Sequence, residues 1–417
     1  MTGFVLTKKD GEFLRVLASV SVVTAHCIHY WVECFYANRD FSSLNFFTTF
    51  LDQATRFTVP LFFFLSGFGL TLQFQNKDIN LSKYYRFRLP KILAPFLLWS
   101  AITSFRHMEF LENLPWAQDT GSTFKILFRF LFLDGFDYQY YFLIAIFQFY
   151  CVYPLLYKLG KSKWFMGLFL LFHLGILSPM EAYLDIFGLS LPNIHPNLLF
   201  FHWFYCFVGI YAAWNKDFLA SLLTLWSKQK VMAFWIVTYG LLNFEFIVNL
   251  QNQKYLSDTD HFNRWSVVLY CLASLMVYMK AKNWILLNIY QNPRFQFIFS
   301  HVAPYTFFVY LAHTHVLRMV DFLLWEVTLF DFLNRIILVV LGSYLLAWFL
   351  QWLLEDFPRL RFYFGLPNSP LMDWSGVPGI SRFKLRRKLR NPSIGSYFQK
   401  ERSGSISNIN AQTKGGG

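Results

Sequence analysis

The sequence predicts an all-α fold, a polytopic transmembrane helix bundle of about ten spans with both termini cytoplasmic. Three observations predict it. Hydrophobic residues make up 55% of the 417-residue chain and charged residues 15%, where soluble domains carry about a quarter charged. The apolar residues gather into runs near the roughly 20 residues that cross a bilayer as a helix. Lys and Arg are unevenly shared between alternate connecting segments, as the positive-inside rule describes.

Taken in order, the spans are expected at 13–35, 54–75, 89–105, 141–158, 164–179, 197–214, 231–250, 265–280, 305–323 and 334–354, the third and fifth being short. The first is too long for a signal-peptide core and lacks a small-residue cleavage site, so it is expected to remain as a span. An even count puts both termini on one side. With the N-terminus cytoplasmic, inner segments hold 28 of the 37 Lys and Arg and 8 of the 24 Asp and Glu. The net charge of +13 then reflects orientation and attraction to anionic membrane lipids, and no nucleic-acid partner is expected. Segment 121–134 is apolar, with Lys125 and Arg129 four apart, and reads as an interfacial or re-entrant helix. Residues 357–417 read as a basic cytoplasmic tail, disordered from 368 on, with 382–390 lying on anionic lipid. Five cysteines (Cys27, Cys34, Cys151, Cys206 and Cys271) fall in apolar runs without paired spacing. They read as buried free thiols, neither disulfides nor metal ligands.

Polar residues inside these spans are where chemistry is expected, because ionisable groups are costly there. Arg15 and His26 lie in the first span. Eleven steps of about 100° close three helical turns to within about 20°, so both share one face, about 16 Å apart along the axis. Span two opens with Arg56, at the end where the charge rule does not expect a cation, four residues after Asp52. Arg88 and Lys91 gather with Arg86 at an inner mouth, an arrangement suited to a polyanion. Glu245 is an unusual carboxylate in the outer half of span seven, placed to meet a ligand or to balance Arg56 or Arg264. Tyr310 and His313 lie deep in span nine. His29 is one turn beyond His26, and His315 points away from His313 and reads as structural. Ser66 is not framed as a serine nucleophile, and Gly67 and Gly69 read as sites of close helix approach.

These elements resemble the acyltransferase-3 family of integral membrane acyltransferases. The resemblance rests on Arg15-x10-His26, on Phe62-Phe63-x-Leu65-Ser66-Gly67-Phe68, on Arg88-x-x-Lys91 before Pro95, and on Tyr310-Leu311-x-His313. Detail is similar to the branch containing the O-acetyltransferases of enterobacterial common antigen and the polysaccharide intercellular adhesin protein. That detail is Arg56-x-x-Val59-Pro60-Leu61-Phe62-Phe63, Pro95-Phe96-x-x-Trp99-Ser100, Tyr138-x-x-Tyr141-Phe142-Leu143, Tyr150-x-x-x-Pro154 and Phe204-Tyr205-x-Phe207-x-Gly209. The order and spacing of the motifs, more than any one of them, carry the likeness over about residues 10–355. Two positions depart from the pattern. Lys91 stands for an arginine, keeping charge but losing bidentate geometry. Gln139 stands where a histidine is often found, which puts an outer-side role for that position in doubt. A fused soluble hydrolase domain, present in some relatives, is not expected here.

The resemblance implies a transmembrane acyltransferase domain over 1–356, in the cell (inner or plasma) membrane. It implies transfer of an acyl group, usually acetyl, from cytoplasmic acetyl-CoA to a hydroxyl of a cell-surface glycan or lipid-linked sugar. Acyl-CoA is then a donor substrate, and no permanently bound cofactor or metal is expected. Arg15, Arg88 and Lys91 would hold the nucleotide phosphates. His26 would act as general base or, as the second choice, carry the acyl group. His313, Arg56, Glu245 and Tyr310 would support His26 or line the acceptor site. The competing class is an exporter or flippase of a polysaccharide or lipid-linked sugar; against it stands the absence of a visible inverted repeat. Homo-oligomer formation is left open.

Overall fold

The structure is a computed structural model that describes residues 6–37, 42–75, 77–104, 137–177, 200–251, 264–323 and 329–367. Fourteen α-helices, and no strands, are found among the described residues. They are α1 (Lys8–Ala37), α2 (Ser43–Thr55), α3 (Thr58–Phe74), α4 (Leu81–Ser104), α5 (Tyr141–Leu159), α6 (Lys163–Phe172) and α7 (Phe200–Trp214). There follow α8 (Lys216–Thr224), α9 (Lys228–Gln251), α10 (Trp265–Ile285), α11 (Pro293–Val302), α12 (Thr306–Leu323), α13 (Leu329–Leu353) and α14 (Pro358–Phe364). A helix lies over all or part of each expected span. Among the described residues, five stretches are long and apolar enough to cross a membrane: Lys8–Phe35, Ser43–Phe74, Tyr141–Leu159, Lys228–Asn249 and Asp331–Leu353. The expected helix at 121–134 and the tail from 368 lie outside the described residues.

The first helix is anchored at its start. Thr7 and Asp10 form a reciprocal cap, the Thr7 N–H and hydroxyl donating to Asp10 Oδ2 at 2.6 Å each. The same carboxylate, wholly buried, meets Lys282 Nζ at 3.3 Å and accepts from the Tyr278 hydroxyl at 2.6 Å. Helix α1 is thereby tied to α10, and it runs unbroken past both Arg15 and His26.

Helices α3 and α7 cross backbone to backbone. A Cβ on Gly67 would collide with the Cys206 carbonyl, and one on Gly209 with the Phe64 carbonyl and the Phe68 N–H. Without a hydrophobic driving force between helices in lipid, close packing through small residues is what holds such a crossing. Gly69 does not share this role, since nothing lies within 4 Å of the Cβ it lacks; two residues on from Gly67, about 200° round the helix, it turns towards an open face. The thiols also differ from expectation: Cys27 and Cys206 are buried, Cys34 and Cys271 half-buried, and Cys151 is exposed on the outward face of α5.

A short helix follows residue 357. Pro358 starts α14 and Gly365, at φ +76°, ends it in the left-handed region. The Leu366 N–H reaches back to the Arg361 carbonyl at 2.9 Å. The Phe364 carbonyl accepts from Trp99 Nε1 at 3.3 Å, and Gln351 Nε2 donates to the Pro367 carbonyl at 3.3 Å. The first ten residues of the expected tail therefore pack on the bundle, where Phe364 and Leu366 supply apolar contacts.

Replacing Gly67 or Gly209 by Ala forces two backbones apart, an overpacking cost of about 1–3 kcal/mol. Each variant is expected to unfold at a lower temperature in detergent, while Gly69→Ala unfolds with the parent.

Candidate active site

A cavity of about 490 Å³ opens between α1, the α2–α3 junction and the facing parts of α12 and α13. Five residues of its lining show how α1 addresses it: Val22, His26, His29, Tyr30 and Glu33 follow one another at helical spacing on a single face. His29, like His26, thus borders this space.

Helix α2 ends where Arg56 enters the cavity. The break at Arg56–Phe57 frees carbonyls of the last turn of α2. Tyr270 of α10 uses one of them, donating to Ala54 O at 2.9 Å, and Tyr239 of α9 donates one turn earlier, to Phe50 O at 2.7 Å. The Thr58 hydroxyl donates to Thr55 O at 2.8 Å. Held this way, Arg56 donates from Nε at 3.1 Å and from Nη2 to Asp52 Oδ2, one turn earlier. The ion pair that the four-residue spacing from Asp52 allows is present, and Arg56 lines the cavity as well.

Against His26 lies His313 of α12, the two rings stacked with centroids 5.1 Å apart and planes 27° from parallel. His313 is completely buried. Its Nδ1 faces the Tyr310 carbonyl at 2.8 Å and the Val309 carbonyl at 3.2 Å. Two carbonyl oxygens accept only, so Nδ1 carries the proton; this tautomer is assigned from the hydrogen bonds. In neutral His313 that leaves a lone pair on Nε2, which has no hydrogen-bond partner among the described residues. Tyr310 packs beside His313 at 5.9 Å between centroids and donates its hydroxyl to the Gln139 carbonyl.

A strap of residues preceding α5 completes the surroundings. Asp137 pairs with Arg318 at 3.1 Å, Thr314 lies 3.5 Å from the same carboxyl group, and Gln139 Nε2 donates to the Thr314 hydroxyl at 2.6 Å. Gln139 is therefore part of the layer behind His313, whatever a histidine there does elsewhere. On the far side, Arg335 of α13 pairs with Asp321 at 3.3 Å and lies over the Trp31 ring at 5.1 Å.

From this cavity a series of neighbouring side chains leads towards the part of α4 that carries the basic residues. Tyr310 meets Phe62 at 6.3 Å between ring centroids. One turn along α3, the Ser66 hydroxyl donates to the Phe62 carbonyl at 2.8 Å and neighbours the Tyr150 phenol, which faces Arg88. Arg88 is half-buried, with Lys91 beside it and exposed. Arg15 is exposed on α1 and is not part of the cavity lining.

The structure thus brings His26, Arg56, His313 and Tyr310 together, and Arg88 with Lys91 separately. Glu245 is not brought to this site. It accepts from the Ser266 hydroxyl and faces Arg264 at 3.8 Å, on α9 and the start of α10. His315 contacts Thr103 and Tyr140 at 3.4 and 3.5 Å and the Trp99 ring, away from the cavity. Among the described residues no three His, Cys, Asp or Glu side chains converge as metal ligands do.

Asp137, Arg318, Asp321 and Arg335 were not singled out from the sequence. A signal existed: Thr314, Leu317, Arg318 and Asp321 continue the face of α12 that starts at Tyr310. Arg318 and Arg335 also sit, like Arg56, where the charge rule expects few cations.

Among comparisons with known proteins, a family model described as an acyltransferase domain matches residues 11–352. No curated protein and no solved structure matches the chain.

Because His26 borders open space and His313 has none, diethyl pyrocarbonate is expected to modify His26 first and His313 last. Peptide mapping by mass spectrometry over a time course checks this order.

Proposed function

The chain belongs to this acyltransferase family and is a membrane acyltransferase, and from that premise we propose that it O-acylates a sugar. The donor is a cytoplasmic acyl-CoA, acetyl-CoA first among them, and the acceptor a hydroxyl of a cell-surface glycan or lipid-linked sugar. The protein spans the cell membrane ten times with both termini cytoplasmic, which puts Arg15, Arg88 and Lys91 on the inner side and the 490 Å³ cavity on the outer side.

One observation carries the reading: His26 sits at the cavity wall, stacked on a buried histidine. It stands on an unbroken helix, about 16 Å from Arg15 along the axis. An acyl-CoA is a long molecule with its charge at one end and its thioester at the other. Arg15, Arg88 and Lys91 hold the phosphates through charge-assisted bonds. The neutral arm follows the row Tyr150, Ser66, Phe62 and Tyr310 towards the histidines.

His26 takes the proton of the acceptor hydroxyl while the oxygen forms its bond to the thioester carbonyl carbon. The carbon–sulfur bond breaks and the thiolate leaves, receiving the proton held by His26. Two features serve this step. Stacking on His313 fixes the His26 ring, and the Tyr310 and Val309 carbonyls fix the His313 ring in turn.

Acyl transfer from labelled acetyl-CoA in proteoliposomes tests the assignment. His26→Ala is expected to lower turnover by about 10²–10⁴-fold, the usual share of a general base. Arg88→Ala is expected to raise the KM for acyl-CoA about 10–100-fold, as loss of a charged hydrogen bond does, with a smaller change in kcat. Full transfer by His26→Ala sinks the catalytic assignment; an unchanged KM in Arg88→Ala sinks the phosphate site.

A further inference from the structure

The cavity beside His26 is rich in charge yet balanced. Its lining holds three arginines, Arg56, Arg318 and Arg335, and three carboxylates, Glu33, Asp52 and Asp321. Each arginine is matched to its own carboxylate: Arg56 to Asp52, Arg318 to Asp137 behind the wall, and Arg335 to Asp321. Asp321 also faces Arg318, so it sits between two guanidiniums. Glu33 is exposed and has no basic partner among the described residues.

We infer that this cavity admits an uncharged sugar and turns away sugars bearing a carboxylate or phosphate. The inference rests on the acceptor reading given above and narrows it. Three arginines at one cavity suggest an anion site until their partners are counted. An anion entering here leaves water without finding an uncompensated cation, and it meets Glu33 and Asp321. Neutral hydroxyls fare differently. A paired guanidinium has five N–H donors and a carboxylate about four acceptor sites, so both keep groups to offer. A sugar hydroxyl both donates and accepts, and it binds such a lining without disturbing the pairs. Unmatched charge set against the wrong ligand is a recognised route to discrimination.

The selectivity is lodged in Asp321. Arg335 has a second hold, its guanidinium lying over the Trp31 ring at 5.1 Å. Asp321→Asn therefore leaves Arg335 in place and removes the charge that neutralises it. The cavity then carries an uncompensated cation and becomes receptive to anionic sugars.

Protection of His26 from diethyl pyrocarbonate reads occupancy of the cavity without requiring turnover. The full-length protein in proteoliposomes is treated in the presence of a methyl hexoside or of the matching methyl uronide, which differ only in a hydroxymethyl or carboxylate group. The hexoside is expected to slow His26 modification severalfold and the uronide, at equal concentration, to leave it unchanged. In Asp321→Asn the uronide is expected to protect as well as the hexoside does. Glu33→Gln, at an exposed position, shifts the preference the same way by less and covers the case in which Asp321→Asn does not fold. Equal or stronger protection by the uronide in the parent protein overturns the inference. So does protection by neither sugar, or an unchanged preference in both variants. If the hexoside preference holds while labelled acetyl-CoA yields no His26-dependent transfer, the sugar site stands and the catalytic reading falls.

Discussion

The face-to-face contact of His26 and His313 is the interaction on which the functional arrangement depends. A polar side chain within a membrane bundle is held there only if neighbouring groups satisfy and orient it. Here α12 does so in two layers. The carbonyls of Val309 and Tyr310 set the His313 ring, and that ring sets His26. Everything that positions α12 against α1 therefore acts on the His26 imidazole. The strap at Asp137 and Gln139 binds α12 from one side, and Arg335, lodged between Asp321 of α12 and Trp31 of α1, joins the two helices from the other.

The remainder of the bundle supplies fixed points for this contact. Asp10 ties the start of α1 to α10 through Lys282 and Tyr278, so α1 cannot slide or turn without breaking a buried ion pair, a loss of about 3–5 kcal/mol. The glycine crossing of α3 with α7 fixes the depth of Phe62 and Ser66, which lie between the basic part of α4 and the histidines. A single helix thus carries both the residue proposed to hold phosphate and the residue proposed to take a proton. Their separation is set by helical rise, which side-chain motion does not alter.

Much of this was legible in the sequence. The helical class followed from composition and run length, and the shared face of Arg15 and His26 followed from spacing alone, because an uninterrupted helix makes spacing equivalent to position. The Arg56–Asp52 pair was legible for the same reason, four residues being one turn. Partners far apart in the chain were not. Nothing in the local pattern connects Asp137 to Arg318 or Arg335 to Trp31; for Glu245 the sequence offered a ligand, Arg56 and Arg264 alike, and the side-by-side packing of α9 and α10 sets it against Arg264 and Ser266. Gly69 shows the converse limit: it has the residue type for a close approach but, two residues on from Gly67, sits on the opposite side of the helix from the crossing. At 358–367 a basic composition concealed a short packed helix whose capping depends on one glycine and whose docking depends on Trp99, more than 250 residues earlier in the chain.

The account's central claim is that a donor anchored at Arg15, Arg88 and Lys91 delivers its acyl end to His26. A structure of the protein with a non-cleavable thioether analogue of acetyl-CoA tests it most directly. The account predicts phosphate density against those three cations and the acyl terminus beside His26, along the row from Tyr150 to Tyr310. Phosphates bound in the Arg56–Arg318–Arg335 cavity, or an acyl terminus remote from His26, would contradict it.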